Sequence, residues 1–123
     1  MEQAFTIQQV AKMTHLSEHT LRYYERLGLL NPIGRGSNGY RTYSSSDLTR
    51  IHFLRCLRAT GMSIQKMQRY VKLLRQGPQT ADERRLLLVA HAQEVQAHIA
   101  ELQQNLEMIA HKIASYDTFG QDR

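Results

Sequence analysis

The chain of 123 residues has few of the features that mark secreted or membrane proteins. Its single cysteine, Cys56, excludes an internal disulfide and points to a reducing compartment. No apolar run approaches the roughly 18 residues of a membrane helix, and the first residues lack the basic and then apolar pattern of a secretory leader. We therefore expect a cytoplasmic protein that has no membrane partner.

Catalytic motifs are absent as well. The sequence has no glycine-rich phosphate loop, no HExxH zinc motif and no nucleophile elbow, and its six histidines have no evident acidic partner. We predict that the protein is not an enzyme and that it needs neither a cofactor nor a metal.

Acidic residues are scarce in the first part of the chain. Residues 1–76 contain 12 lysines and arginines against 4 aspartates and glutamates, whereas residues 77–123 contain 4 against 7. A basic region attracts polyanions, so this imbalance indicates a nucleic-acid-binding front part and a back part with another role.

The first 24 residues predict a helix-turn-helix. A capping box at Thr6 opens a helix to about Met13, and Ser17 caps a second helix that Gly28 ends. The connection between the two helices is short, and the second helix carries Arg22 together with two tyrosines. We place this motif at about residues 5–24; the alternative is any small helical hairpin.

Residues at about 31–43 predict a β-ribbon, or wing. They show no helical period, and Asn38-Gly39 fits a two-residue hairpin turn. No acid occurs between Glu25 and Asp47, and a purely structural loop has little reason to exclude acids. Arginine offers a fork of donors to phosphate or guanine, and tyrosine offers a hydroxyl on a flat apolar ring. Duplex DNA is therefore the expected partner.

Two further helices follow the wing. We expect the first from Ser46-Asp47 to about Thr60 and the second from Ser63 to about Arg75. Their apolar residues should close the core behind the helix-turn-helix. These residues are Leu48, Ile51, Leu54, Leu57, Ile64, Met67, Tyr70, Val71 and Leu74. The basic residues Arg50, Arg55, Arg58 and Lys66 either add phosphate contacts or form a solvated face.

The segment between Thr80 and Gly120 contains no glycine or proline and predicts a helix of about 36 residues, opened by a capping box of Thr80 and Glu83. Apolar residues recur in it at alternating spacings of four and three, the pattern of a coiled coil. We expect a second copy of the chain to cover this seam; the alternative is packing along the helix's own domain. The seam consists of Leu88, Ala92, Val95, Ile99, Leu102, Leu106, Ile109, Ile113 and Tyr116.

Four segments resemble the MerR family of bacterial transcription regulators. They are Thr20–Glu25 (TLRYYE), Gly28–Leu30 (GLL), Asn38–Tyr43 (NGYRTY) and Thr60–Ile64 (TGMSI), and a long terminal helix follows them. The resemblance extends from about Phe5 to Tyr116. It implies a mainly α fold, with a winged helix-turn-helix DNA-binding head at 1–76, an antiparallel coiled-coil dimerisation helix at 77–119 and a tail at 120–123.

The resemblance also implies a homodimer on a pseudo-palindromic promoter. Such a dimer distorts the DNA so that RNA polymerase, an indirect partner, aligns with both promoter elements. The resemblance, carried over residue by residue, and the basic and aromatic residues of the wing together give a set of candidate DNA-binding residues. They are Thr6, Ser17, Thr20, Arg22, Tyr23, Tyr24, Arg35, Tyr40, Arg41 and Tyr43, with Arg22 and Tyr24 the strongest in the recognition helix.

Cys56 resembles the cysteine of a single-cysteine subgroup, the AdhR/NmlR type, which responds to aldehydes and nitrosothiols. Arg55 and Arg58 are its sequence neighbours and His52 lies one helical turn back, and cations near sulfur favour the reactive thiolate. Cys56 is therefore a candidate sensor of electrophile or nitrosative stress. The alternative is a structural cysteine that fills the core.

Other functions remain as alternatives. Metal-sensing relatives carry cysteines in the long helix and the loop after it; this chain has none there, which leaves His91, His98 and His111 as conceivable ligands that we interpret as solvent-facing. An architectural DNA-binding protein with the same head is a second alternative, although such proteins usually lack the long helix. A third is a regulator of this family in which Cys56 is only structural.

Overall fold

The computed structural model describes residues 4–30, 34–35 and 41–119, with the backbone alone at 34, 35, 41 and 119. The elements are β1 (Phe5–Thr6), α1 (Ile7–Thr14), α2 (Glu18–Arg26), β2 (Gly34–Arg35), β3 (Arg41–Tyr43), α3 (Ser45–Ala59), α4 (Ile64–Gln76) and α5 (Ala81–Phe119). A 3₁₀ turn, Pro78–Thr80, precedes α5. Two compact units meet between Arg84 and Arg85, and we call the first unit the head. This mainly α architecture with a small sheet confirms the predicted fold class.

Side-chain caps start the first two helices where the sequence predicts them. The Thr6 hydroxyl accepts from the Gln9 backbone N–H at 3.1 Å, and the Gln9 side chain accepts from the Thr6 N–H at 2.9 Å. This confirms the predicted capping box. The Ser17 hydroxyl caps α2 by accepting from the Thr20 N–H at 3.0 Å. Each cap satisfies a donor that the first helical turn leaves without a partner in its own helix.

Left-handed residues end both helices of the helix-turn-helix. His15 follows α1 with a φ of 61°, and Gly28 follows the end of α2 with a φ of 80°. A residue with a Cβ is strained in this region, so glycine is the residue that ends α2 at the lowest cost. The turn between the helices is three residues long, and it holds α2 against α1 in the helix-turn-helix arrangement.

The wing belongs to a small antiparallel sheet in which β3 is the central strand. Phe5 of β1 lies opposite Tyr43, and Arg35 of β2 lies opposite Arg41. The sequence does not predict β1, because a two-residue strand shows no alternation and exists only through its pairing with β3. The predicted Asn38-Gly39 turn lies outside the described residues.

The core of the head lies between α1, α2, α3 and α4. It buries Ile7, Val10, Leu21, Leu29, Leu30, Ile51, Leu54, Leu57, Met62, Met67, Val71 and Leu73. Leu73 is buried although the sequence does not predict it, whereas the predicted Leu48, Ile64, Tyr70 and Leu74 are half-buried. The turn before α5 folds back onto the end of α4, where the Thr80 hydroxyl donates to the Leu73 carbonyl at 2.6 Å.

Two predicted helix starts need correction. The helix α3, predicted to start at Ser46-Asp47, is capped by Ser44, which closes a capping box with Asp47 at distances of 2.9 and 3.1 Å. The capping box predicted for Thr80 and Glu83 is wrong. Thr80 instead bonds the end of α4, and Glu83 pairs with Arg69 of α4 at 2.7 Å. The start of α5 is therefore held to α4 by side chains from both segments.

The last helix, α5, contains 39 residues, against the predicted length of about 36. It is continuous, as the absence of glycine and proline predicts. In the described part of the chain, no helix is both long enough and apolar enough to cross a membrane.

Candidate nucleic-acid interface

One side of α2 is buried and the other is basic and exposed. Leu21 and Tyr24 point into the core, with 0% and 4% of their surface exposed. Tyr23 is 43% exposed, the side chain of Arg22 is 42% exposed, and Arg26 is exposed as well. The second helix of a helix-turn-helix thus presents arginines and an aromatic ring to solvent, the chemistry that binds phosphates and base edges.

Both exposed arginines are held by a neighbour on the same helix. The Arg22 guanidinium lies 3.5 Å from the carboxylate of Glu18, one turn earlier. The guanidinium carbon of Arg26 lies 5.8 Å from the centre of the Tyr23 ring, within the range of a cation–π contact. These contacts restrict the rotamers of two long side chains before any ligand arrives.

The three hydroxyl residues predicted to contact DNA lie at helix starts. Thr6 caps α1, and Ser17 caps α2 while donating to the Thr20 hydroxyl at 2.9 Å. The caps leave further N–H groups of each first turn directed outward, with the positive end of the helix dipole behind them. A phosphate near these residues is therefore met by the backbone as well as by the hydroxyls.

Tyr24 and Tyr43 are corrections to the predicted contact set. Tyr43 is 1% exposed and its hydroxyl oxygen is buried, and Tyr24 is 4% exposed. Burial raises the pKa of the Tyr24 hydroxyl, which the nearby Arg58 guanidinium partly opposes. Both rings pack in the head, and the buried hydroxyl oxygen of Tyr43 is closed to a phosphate backbone. The sequence shows only that they are aromatic, and tertiary packing decides which face of the element each one takes.

The predicted wing residues are placed in part. Arg35 and Arg41 are backbone neighbours across the β2–β3 pair, so two cationic positions lie side by side on the ribbon. Their side chains and Tyr40 lie outside the described residues. Their contacts with phosphate stay a prediction.

Cys56 lies on the exposed side of α3. In the single chain this thiol therefore does not fill the core of the head. His52 and Arg55 are exposed on the same helix. The backbone carbonyl of Cys56 accepts from the Thr60 hydroxyl at 2.8 Å, so the thiol belongs to the turn that ends α3. Arg58 donates to the Met62 carbonyl at 3.3 Å and thereby ties that turn to the loop before α4.

The α5 seam is on the surface of a single chain. Ile99, Leu102, Leu106, Ile109 and Ile113 are each 49–63% exposed, and Tyr116 is 42% exposed. Among the described residues, no group of three or more histidine, cysteine or acidic side chains is arranged to hold a metal.

Sequence reasoning missed two residues that the structure brings to this interface. Arg26 and Glu18 share the exposed side of α2 with Arg22. Burial raises the pKa of Tyr24, and the charge of Arg58, predicted only as a possible phosphate contact, partly lowers it. The spacing of four between Glu18 and Arg22, and of three between Tyr23 and Arg26, is the signal that identifies the two helical pairs. No sequence signal connects Arg58 with Tyr24, because they come from different helices.

Comparisons with known proteins agree with this geometry. The family model described as MerR HTH family regulatory protein matches residues 5–74, and the model described as MerR, DNA binding, matches residues 48–112. A helix-turn-helix-type transcriptional regulator of Haemophilus influenzae is 34% identical over 91% of this chain and 83% of that protein. The regulator AdhR of Bacillus subtilis is 39% identical over 72% of this chain and 64% of its own length.

A solved structure extends the comparison to three dimensions. HiNmlR, described as a MerR family regulator lacking the sensor domain and bound to promoter DNA, superimposes with a TM-score of 0.88. It is 33% identical, over 94% of this chain and 87% of that chain. The chain therefore belongs to the MerR family and is a DNA-binding transcriptional regulator.

Proposed function

We propose that the protein acts in the cytoplasm as a homodimer that binds a pseudo-palindromic promoter site, distorts it, and changes transcription when an electrophile modifies Cys56. The exposed basic side of α2 is the observation that carries this proposal. A helix-turn-helix reads DNA by placing its second helix in the major groove. The related HiNmlR in complex with promoter DNA supports the same use of this head.

The dimer follows from the α5 seam. About half of each of these apolar side chains is exposed to water, which is unfavourable along the whole seam. A second copy of the chain buries them when the two seams pair. Two heads related by a two-fold axis then require a site of matching symmetry. We propose residues 1–76 as the DNA-binding domain and 77–119 as the dimerisation helix.

The contact set that we propose has three parts. Arg22 and Tyr23 lie on the exposed side of α2, Thr6, Ser17 and Thr20 lie at helix starts, and the wing contributes through Arg35, Tyr40 and Arg41. The buried Tyr24 and Tyr43 support these elements from within. Contacts from both a helix and a ribbon hold the duplex at several points. Their combined binding free energy offsets the few kcal/mol that bending the DNA costs.

The exposed thiol of Cys56 supports its role as the sensor. Addition of the thiolate sulfur to an aldehyde carbon forms a C–S bond, and the former carbonyl oxygen takes a proton from water. The adduct lies in the turn that ends α3, and the charge of Arg58 in that turn acts on Tyr24 of the recognition helix. We expect the modification to change the position of α2 and hence the shape of the bound DNA, rather than to release it.

DNA binding is tested first. Duplexes selected from a random pool with the wild-type protein should show two inverted half-sites. Arg22→Ala should weaken binding to the selected site by about 1–3 kcal/mol. Arg69→Ala is the matched control, because Arg69 is an exposed arginine of α4 that is paired with an acid as Arg22 is. Selection of no common sequence would contradict the proposal.

The sensor is tested by transcription from the selected promoter site with formaldehyde or a nitrosothiol. The wild-type protein should respond, whereas Cys56→Ser should bind the site normally and give the same transcript level with and without the electrophile. Mass spectrometry of the intact protein should find the adduct on Cys56. If Cys56→Ser responds as the wild type does, the regulator reads another signal and Cys56 has no sensing role.

A further inference from the structure

Of the two exposed arginines of α2, one contacts a carboxylate and the other an uncharged aromatic ring. We propose that they therefore bind different parts of the DNA. Arg22, paired with the carboxylate of Glu18, reads a base edge, and Glu18 is a specificity-determining residue. Arg26, lying over the uncharged Tyr23 ring, contacts a phosphate. The inference rests on the proposed function in one respect, that α2 enters the major groove.

The position of Glu18 is unfavourable for binding DNA in general. The first 76 residues carry only 4 acids against 12 bases, and one of those acids is on the exposed side of α2, with 38% of its side chain accessible. A carboxylate there repels the phosphates that the surrounding arginines attract. Its pairing with Arg22 gives little stability in return, because exposed ion pairs contribute about 0–1 kcal/mol. As an acid in the first turn of α2, Glu18 also interacts favourably with the helix dipole, by about 0.3–1 kcal/mol, so stability favours the placement only slightly.

Base reading gives this carboxylate a role on DNA. The Arg22 fork can donate to O6 and N7 of a guanine, and a Glu18 carboxylate can accept from N4 of a cytosine, both of which face the major groove. Glu18 is the first residue of α2, and the N-terminal residues of a recognition helix are the ones that contact base edges. Because Glu18 offsets the charge of Arg22, that arginine gains little free energy from a phosphate contact. Contacting a base instead of a phosphate therefore costs it little. The pair thus favours sequences with G·C at one position and disfavours others.

Arg26 has the opposite surroundings. It lies in the last turn of α2, eight residues from Glu18, and the group that holds it carries no charge. Its full positive charge is available to phosphate, and the contact with Tyr23 reduces the rotamer freedom that it loses on binding. A contact of this kind raises affinity for every sequence alike.

The test measures affinity of the full-length protein for the selected site and for a random duplex, at several salt concentrations. Glu18→Gln should bind the random duplex about two- to fivefold more tightly, as expected for removal of one weakly screened charge. Its ratio of specific to random affinity should fall about tenfold or more. Arg26→Ala should weaken both duplexes by the same factor and reduce the salt slope by about one contact.

The matched control is Glu83→Gln, which removes an exposed carboxylate that is also paired with an arginine, but on α5 and 2.7 Å from Arg69. It should leave the affinity ratio unchanged. The double variant Glu18→Gln/Arg22→Ala should show the same ratio as Arg22→Ala alone, because the two residues act as one unit. Thermal unfolding of each variant should match the wild type, since all these side chains are exposed.

Two results would overturn the inference. One is an unchanged affinity ratio in Glu18→Gln, or the same ratio change in Glu83→Gln. The other is additivity of Glu18→Gln and Arg22→Ala on a logarithmic scale, which would show that the two residues act separately. If Arg22→Ala still weakens specific binding in either case, the proposed function stands and only the role of Glu18 is wrong. If the wild-type protein selects no sequence at all, both are wrong.

Discussion

The head and the long helix treat their apolar residues in opposite ways. In the head, Val10, Leu21 and Ile51 have no exposed surface, and residues from four helices cover one another. In α5, Leu102 is 53% exposed and Leu106 is 63% exposed, although the same residue types are involved. Burial on this scale, at about 25 cal/mol per Å², stabilises the head within one chain, whereas α5 gains the same energy only from a partner. Stability of the head and assembly of the protein are therefore separable properties.

The largest effect should come from a charge in the seam. Leu102→Asp places a carboxylate where the partner's apolar residues would pack, so the protein should be a monomer by size-exclusion chromatography with light scattering. With only one head per molecule, its affinity for the two-half-site duplex should fall at least about 100-fold.

Met108→Asp is the control for that experiment. Met108 is on the same helix and is 74% exposed, but it lies off the seam. It should remain a dimer with wild-type affinity. If Leu102→Asp remained a dimer, the seam would not be the interface, and assembly would not depend on α5 separately from the stability of the head.

The next largest effect should come from a cavity in the head. Met67→Ala removes a side chain that is 0% exposed, and it should lower the free energy of unfolding by about 2–5 kcal/mol. Met13→Ala, at a side chain that is 44% exposed, should change it by less than about 0.5 kcal/mol. Urea unfolding at one fixed protein concentration measures both, because dissociation of a dimer adds a concentration dependence. Equal losses in the two variants would contradict the assigned core.

A smaller effect is expected at the cap of the recognition helix. Ser17→Ala removes the oxygen that accepts from the Thr20 N–H at 3.0 Å, and it should cost about 1 kcal/mol of stability. Ser45→Ala is the control, because Ser45 is exposed and is the first residue of α3 rather than its cap. Urea unfolding that ranks Ser45→Ala as the more damaging change would contradict the assigned caps.

The smallest effect should be that of Cys56→Ser on stability. An exposed side chain that is changed by one atom should leave the free energy of unfolding within about 0.5 kcal/mol of the wild type. A loss of 2 kcal/mol or more, the cost of about one buried side chain, would mean that Cys56 is covered in the assembled protein. This measurement separates a structural role from a sensing role without any electrophile.

Local patterns let the sequence predict the elements closely. The caps at Thr6, Ser17 and Ser63 involve residues three apart, and all three are present. The continuous α5 follows from a stretch without glycine or proline, and its seam follows from a repeat within one helix. Interactions of this range depend on neighbours in the chain, so they can be read without knowing the fold.

The candidate site was predictable only in part. Arg22 and Tyr23 are exposed on α2 as the DNA-contact reading requires, but Tyr24, adjacent in sequence and equally aromatic, is buried. A helical turn of 3.6 residues places neighbours on different sides, and the packing of α2 against the other helices decides which side faces solvent. The same holds for Tyr43: successive residues of a strand point to opposite faces of the sheet, and the packing of β3 against the head decides which face is buried.

The sequence by itself determined the family, the helix starts, the charge of the front part and the apolar seam, because each is a property of residue types at short spacings. Tertiary structure decided which aromatic rings are available to DNA, that Cys56 is on the surface, and that Thr80 and Glu83 bond α4 instead of capping α5. Those outcomes depend on groups far apart in the chain, whose competition for the same surface is settled only when the helices pack.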